Sequence, residues 1–213
     1  MKRLACTLVG LTLLVIPAVV DAQDTEWNRY TLQKIGGVYI SVVSNPTCES
    51  VGVMSSQVQA NAAIKLLESE VDLLTEDEML KNPGLPELRI TLQCVVGDRS
   101  DVEGVVAYSI EVRVNQAAKM VRDEQVTLAE AVTWYATAIG VANADDTQQA
   151  LHETIDLKLE EFATAYVEAN ATALTADLTI GAGPTLEDLA MLYRVEPRDR
   201  HDFYARLHER RAL

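Results

Sequence analysis

Residues 88–96, LRITLQCVV, decide how this chain is read. Leu88, Ile90, Leu92, Cys94 and Val96 fall on one side of an extended strand, and Arg89, Thr91 and Gln93 fall on the other, because successive side chains of a strand point to opposite faces. A strand that is apolar on one side and polar on the other belongs to a sheet covered on one face only. Three more stretches carry the same period. In GGVYISVV (36–43), Val38, Ile40 and Val42 share a face. In VVAYSIEVRVN (105–115), Val106, Tyr108, Ile110, Val112 and Val114 point inward, and Ala107, Ser109, Glu111 and Arg113 outward. In AVTWYATAIGV (131–141), Val132, Trp134, Ala136 and Ala138 oppose Thr133, Tyr135, Thr137 and Ile139.

Two segments have helical spacing instead. From Ser55 to Leu74, the stripe is Val58, Ala62, Leu66, Leu67, Val71 and Leu74. From Thr147 to Asn170 it is Leu151, Ile155, Leu159, Phe162 and Tyr166, with Asp145 and Asp146 expected as caps. KNPGLPEL (81–88) breaks the chain between the first helix and the second strand. The order β-α-β-β-β-α predicts an α+β, two-layer sandwich: a four-stranded, mostly antiparallel sheet with two helices on one face. The first two strands, joined through a helix, should run parallel.

The expected organisation is a signal peptide at 1–22, an α+β domain at 23–170, a linker at 171–184 and a short helical C-terminal arm at 185–213. Lys2 and Arg3 precede an apolar run from Leu4 to Val20, and Val20-Asp21-Ala22 forms a small-residue cleavage site. The alternative is an uncleaved anchor; the run is short for a span and holds Gly10 and Pro17. The linker reading rests on small residues and on Gly181, Gly183 and Pro184. In the arm, Thr185 with Asp188 resembles a capping pair over a Leu186, Leu189, Ala190, Tyr193 stripe. A last helix then aligns Phe203 with Leu207 and Arg206 with Arg210.

The formal charge is −14. Export processing would remove Lys2, Arg3 and Asp21 and leave −15, so nucleic acid is not an expected partner. The tip from Pro197 onward is basic all the same, with Arg198, Arg200, Arg206, Arg210 and Arg211 against Asp199, Asp202 and Glu209. That sign fits docking on the acidic body or a protein partner, and membrane contact that is at most peripheral.

Cys48 follows the first strand and Cys94 lies near the end of the second. Parallel strands bring both to one end of the sheet, and an oxidising compartment would then bridge them. The alternative keeps Cys94 as a small buried hydrophobe. His152 and Asp156 stand one helical turn apart, and His201 and His208 share a face, but no HExxH or Cys-x-x-Cys completes a metal site. Asp98, Asp101 and Glu103 crowd a hairpin loop without the spacing of a calcium loop. Neither a catalytic set nor a cofactor motif stands out, so no metal and no cofactor are expected. The surfaces left for a partner are the polar sheet face, with Arg89, Arg113 and Tyr135, and the arm, with Phe203, Arg206 and Arg210.

GPTLEDLAMLYRV (183–195) resembles the first strand-to-helix turn of a LysM glycan-binding module. The module's second half, with its Leu-x-x-x-Asn and closing strand, does not follow, and no residue role is carried over from it. The leading expectation is a non-catalytic accessory or interaction protein of the bacterial cell envelope, periplasmic or secreted. Its partner would be another envelope protein or a second copy. The alternatives are a small-ligand or glycan-binding module, with a pocket near Trp134 and Phe162, and a hydrolase using His152 as general base.

Overall fold

The four amphipathic stretches do pair into one sheet, in the order β1-β2-β3-β4. These strands are Tyr39–Ser44, Glu87–Val96, Val105–Met120 and Asp123–Asn143. The structure, a computed structural model, describes residues 25–98 and 104–211. The expected export segment at 1–22, and Asp101 and Glu103 of the acidic loop, lie outside the described residues. Within them, no helix is long and apolar enough to cross a membrane.

β1 runs parallel to β2, with Ile40 beside Leu88 and Ser44 beside Leu92. β2–β3 and β3–β4 are antiparallel. The α+β, mixed four-stranded sheet is therefore the one expected. Seven α-helices are described: α1 (Glu26–Tyr30), α2 (Pro46–Ser50), α3 (Ser55–Glu68), α4 (Glu76–Lys81), α5 (Thr147–Ile180), α6 (Pro184–Leu192) and α7 (Arg200–Arg211). The two long central helices, α3 and α5, lie on one face of the sheet. Their Val58, Ala62, Leu66, Leu151, Ile155, Leu159 and Phe162 share a single core with Leu88, Ile90, Leu92, Val112 and Trp134. Trp134 and Phe162 meet edge to face, with ring centroids 5.3 Å apart, worth about 0.5–1.5 kcal/mol beyond the area they bury.

Helix ends are where the sequence reading needed correction. α3 stops at Glu68, not Leu74. Glu70 takes φ 60°, and the N–H groups of Glu70 and Val71 turn back to the carbonyls of Leu67 and Leu66. That is a Schellman closure, usually signalled by glycine; here glutamate occupies the left-handed position and the signal is hidden. Val71 is still core, and the chain beyond it bridges Leu73 to Val38 beside β1. α5 runs through residues 171–180, where the small residues predict a linker. Its stripe continues through buried Ala169, Ala173 and Asp177, since alanine favours helix more than any other residue. The helix ends at Gly181, φ 76°. The expected caps also differ: Asp146 makes no side-chain cap bond, and α6 starts after Gly183, not at Thr185.

β3 and β4 are far longer than the stretches that announced them. Residues 116–130 continue both strands into a projecting hairpin that turns at Val121 and Arg122. Every residue from Asp123 to Glu130 is exposed. With water on both faces nothing selects an apolar period, and the turn contains neither Gly nor Asn, so the sequence carries no mark of it.

Candidate functional site

Cys48 and Cys94 form a disulfide, with Cα atoms 5.0 Å apart. The geometry follows from the local sequence. Asn45 follows β1 and caps α2: its Oδ1 accepts from the Cys48 N–H at 3.1 Å and from the Cys94 N–H at 3.2 Å, while its Nδ2 donates to the Cys94 carbonyl at 2.9 Å. Pro46 sits in the first turn of α2, where a missing N–H costs nothing. One asparagine therefore holds both cysteine backbones, and both side chains are buried.

The face of the sheet opposite α3 and α5 has two halves. In one, Arg89 stands beside Arg113 and Arg113 beside Tyr135 across three strands. This is the face on which the alternation placed all three. Its charges are already matched. Glu87 accepts from Ser41 Oγ at 2.6 Å, Asn115 Nδ2 at 2.8 Å and Arg89 Nη2 at 2.7 Å. Arg89 reaches Glu130 at 3.2 Å, and Arg113 pairs with Glu111 at 2.8 Å. Burial pushes the Glu87 carboxyl up, but the bonds from Ser41, Asn115 and Arg89, with the arginine's charge, hold it below the ordinary carboxylate range.

The other half is apolar and exposed. Val95, Ala107 and Val141 make one register row, and Ile139 stands beside Ser109 in the next. Val95 and Val141 are each 67% exposed and Ile139 87%. Sequence reading placed Ile139 outward but described this face as polar throughout. The signal was available in the outward parity of Val95 and Val141.

The arm does not join this surface. α7 packs on α5 and α6. Phe203 is half-buried, with its ring 6.0 Å from that of Tyr193, and Arg206 is exposed; the side chain of Arg210 lies outside the described part. Arg198 pairs with its neighbour Glu196 at 3.0 Å, and His208 Nδ1 meets the Leu178 carbonyl at 2.9 Å. The arm is held by Asp177. Its Oδ2 accepts from the Thr185 N–H at 2.7 Å, and Lys34 Nζ lies 3.8 Å from Oδ1. The carboxylate thus caps the N-terminus of α6 from the preceding helix, where anionic charge is favoured. A Cβ at Gly183, φ 153°, would fall 2.2 Å from Asp177 Cγ, so only glycine lets the carboxylate in. Burial raises the Asp177 carboxyl; the Thr185 N–H and hydroxyl, Lys34 and the Leu186 N–H outweigh this and leave it lowered.

His152 is half-buried on α5 and Asp156 is exposed. Among the described residues, no group of three or more His, Cys, Asp or Glu side chains is gathered as a metal site. Trp134 and Phe162, beside which a pocket is expected, are both fully buried in the core. No model of a known protein family matches the chain, and no curated protein matches it.

Proposed function

We propose that this is a non-catalytic accessory protein of the bacterial cell envelope, exported through its first 22 residues, that works by binding another envelope protein on the bare face of its sheet. The observation that carries this reading is the exposed cluster of Val95, Ala107, Ile139 and Val141, on a face that neither α3 nor α5 covers. Exposed apolar clusters rimmed by polar groups mark binding surfaces. The charges of the adjoining Glu87, Arg89 and Arg113 are paired within the chain, although Arg113 Nε and Asn115 Oδ1 are buried without a partner among the described residues, so this half fits the polar rim of such a surface better than its energetic centre. The disulfide supports an oxidising compartment, and the basic N-terminal segment supports the export route.

The test is a photo-crosslinking amino acid placed at Gln93, exposed at the middle of this face, and at Glu153, exposed on α5, as the control. In intact cells the Gln93 probe should give a discrete adduct with a second polypeptide that the Glu153 probe does not give. The same adducts from both positions, or none from Gln93, would overturn the reading.

A further inference from the structure

α3 is apolar on two sides. Val58, Ala62 and Leu66 face the core. On the far side of the same helix Gln57, Ala60, Ile64 and Leu67 are all exposed, Ile64 by 58% and Leu67 by 60%. Their steps of three, four and three residues keep them in one line along the axis. Exposed apolar side chains scattered singly are ordinary on a protein surface, whereas a line of them at the spacing of a coiled-coil seam is not.

Charge, shape and the helix start together say what packs on this line. The chain carries −14, yet residues 55–64, SSQVQANAAI, hold no charged side chain. A second copy, which brings the same charge, is repelled least along such a strip. Lys65 is turned aside, to Glu160 of α5 at 3.5 Å. The small Ala60 lies toward the start of the helix and the large Ile64 and Leu67 toward its end, so an antiparallel copy sets large side chains over small ones. At its start α3 is capped by Met54, which makes no side-chain cap bond among the described residues, and a carboxylate is favoured at such an end. With Ala60 opposite Ile64 of the other copy, the exposed Glu68 falls level with Ser56, in the first turn of the facing helix.

We infer that α3 packs against α3 of a second copy, antiparallel about a two-fold axis level with Ala62. Ala60 then meets Ile64, Gln57 meets Leu67, and each Glu68 carboxylate lies beside the uncapped start of the other helix. The three- and four-residue steps of the line set the two helices nearly antiparallel, as in a left-handed coiled coil. Isologous pairing of this kind closes on itself and gives a dimer, not a fibre. α3 has 14 residues, or about 21 Å of helix, so the interface is small and the dimer comes apart on dilution. The line lies on the helix layer, on the side turned away from the sheet. It therefore does not depend on what the sheet face binds.

Sedimentation velocity of the purified protein should show a dimer whose fraction grows with concentration. Ile64→Glu should weaken self-association by roughly tenfold or more, since pairing would bury the new carboxylate against apolar groups. Leu157→Glu, at an exposed position of α5, should leave it intact, and both variants should match the wild type in circular dichroism at low concentration. In a Cys6→Ser background, Gln57→Cys and Leu67→Cys proteins should cross-link on mild oxidation when mixed. Neither should cross-link with itself, because in this register like positions stand about 15 Å apart along the axis. A wild-type monomer at all concentrations overturns the α3 pairing and leaves the sheet-face reading standing. So does a dimer that survives Ile64→Glu, or one that Leu157→Glu dissolves equally well. Cross-linking of either cysteine protein with itself in place of the mixed pair overturns the antiparallel arrangement.

Discussion

The Cys48–Cys94 bridge offers the sharpest energetic test of this fold. It closes a loop with a sequence separation of 46. In the chain-entropy description, opening a loop of that size releases about 4 kcal/mol of constraint on the unfolded chain. Replacing both cysteines by alanine should therefore lower stability by about 4 kcal/mol. With a urea slope of roughly 2 kcal/mol/M, the midpoint should fall by roughly 2 M. For a domain of this size the melting temperature should drop by roughly 8–16 °C. The assay is equilibrium urea unfolding of the two proteins, followed by circular dichroism and by tryptophan fluorescence. Asn45→Ala separates loop closure from local packing. It removes the clamp on both cysteine backbones without cutting the loop, and should cost about 1 kcal/mol, as lost helix caps do. If the alanine pair and the wild type unfold within roughly 0.3 M of each other, the loop carries no entropic constraint and the reasoning fails.

Two further outcomes follow from single side chains. Asp177 has a lowered carboxyl in the folded state, so its contribution to docking α6 is present above the ordinary aspartate range and is lost as pH falls through the folded value. Amide exchange in α6 should accelerate at acid pH in the wild type, and Asp177→Asn should show fast α6 exchange already at neutral pH; identical α6 exchange in the two proteins at neutral pH would contradict the cap. Gly140 lies under the ring of Tyr108, where an added Cβ would fall 2.3 Å from Cζ. Gly140→Ala should destabilise by about 1–3 kcal/mol through overpacking, while in a Tyr108→Ala background, which removes the ring, most of that cost should vanish. A Gly140→Ala penalty of equal size in both backgrounds would place its origin elsewhere.

How far the sequence reached depended on whether each signal was local. The period-2 alternation of Leu88 to Val96 and of Val105 to Val114 required a sheet with one buried face, and the helical crossover required β1 and β2 to run parallel. Parallel neighbours then put Cys48 and Cys94 at one end, so their proximity was legible, while the choice between a bridge and a buried free Cys94 was not. That Arg89, Arg113 and Tyr135 share the outer face was legible for the same reason, since strand parity fixes faces; that they form one row was not, because register is set between strands. Helix ends were not legible, because their determinants lie elsewhere in space. Glu70 holds a left-handed turn that Val71 and Leu66 anchor by packing, and α6 is capped by a carboxylate from the helix before it.

The amino-acid sequence alone determined the layers and the strand directions, since these depend on periodicities of two and 3.6 residues within a single segment; exposure followed less completely, as Leu67, Val96 and Val132 keep the inward period yet are 60%, 42% and 50% exposed. Only the tertiary structure decided where the sheet stops and what covers its margins. The β3–β4 hairpin is drawn out past the core by pairing with itself, and the edge at β1 is closed by Leu73 and Gln59. Coverage of an edge depends on what a distant segment does, and no periodicity within one strand records it.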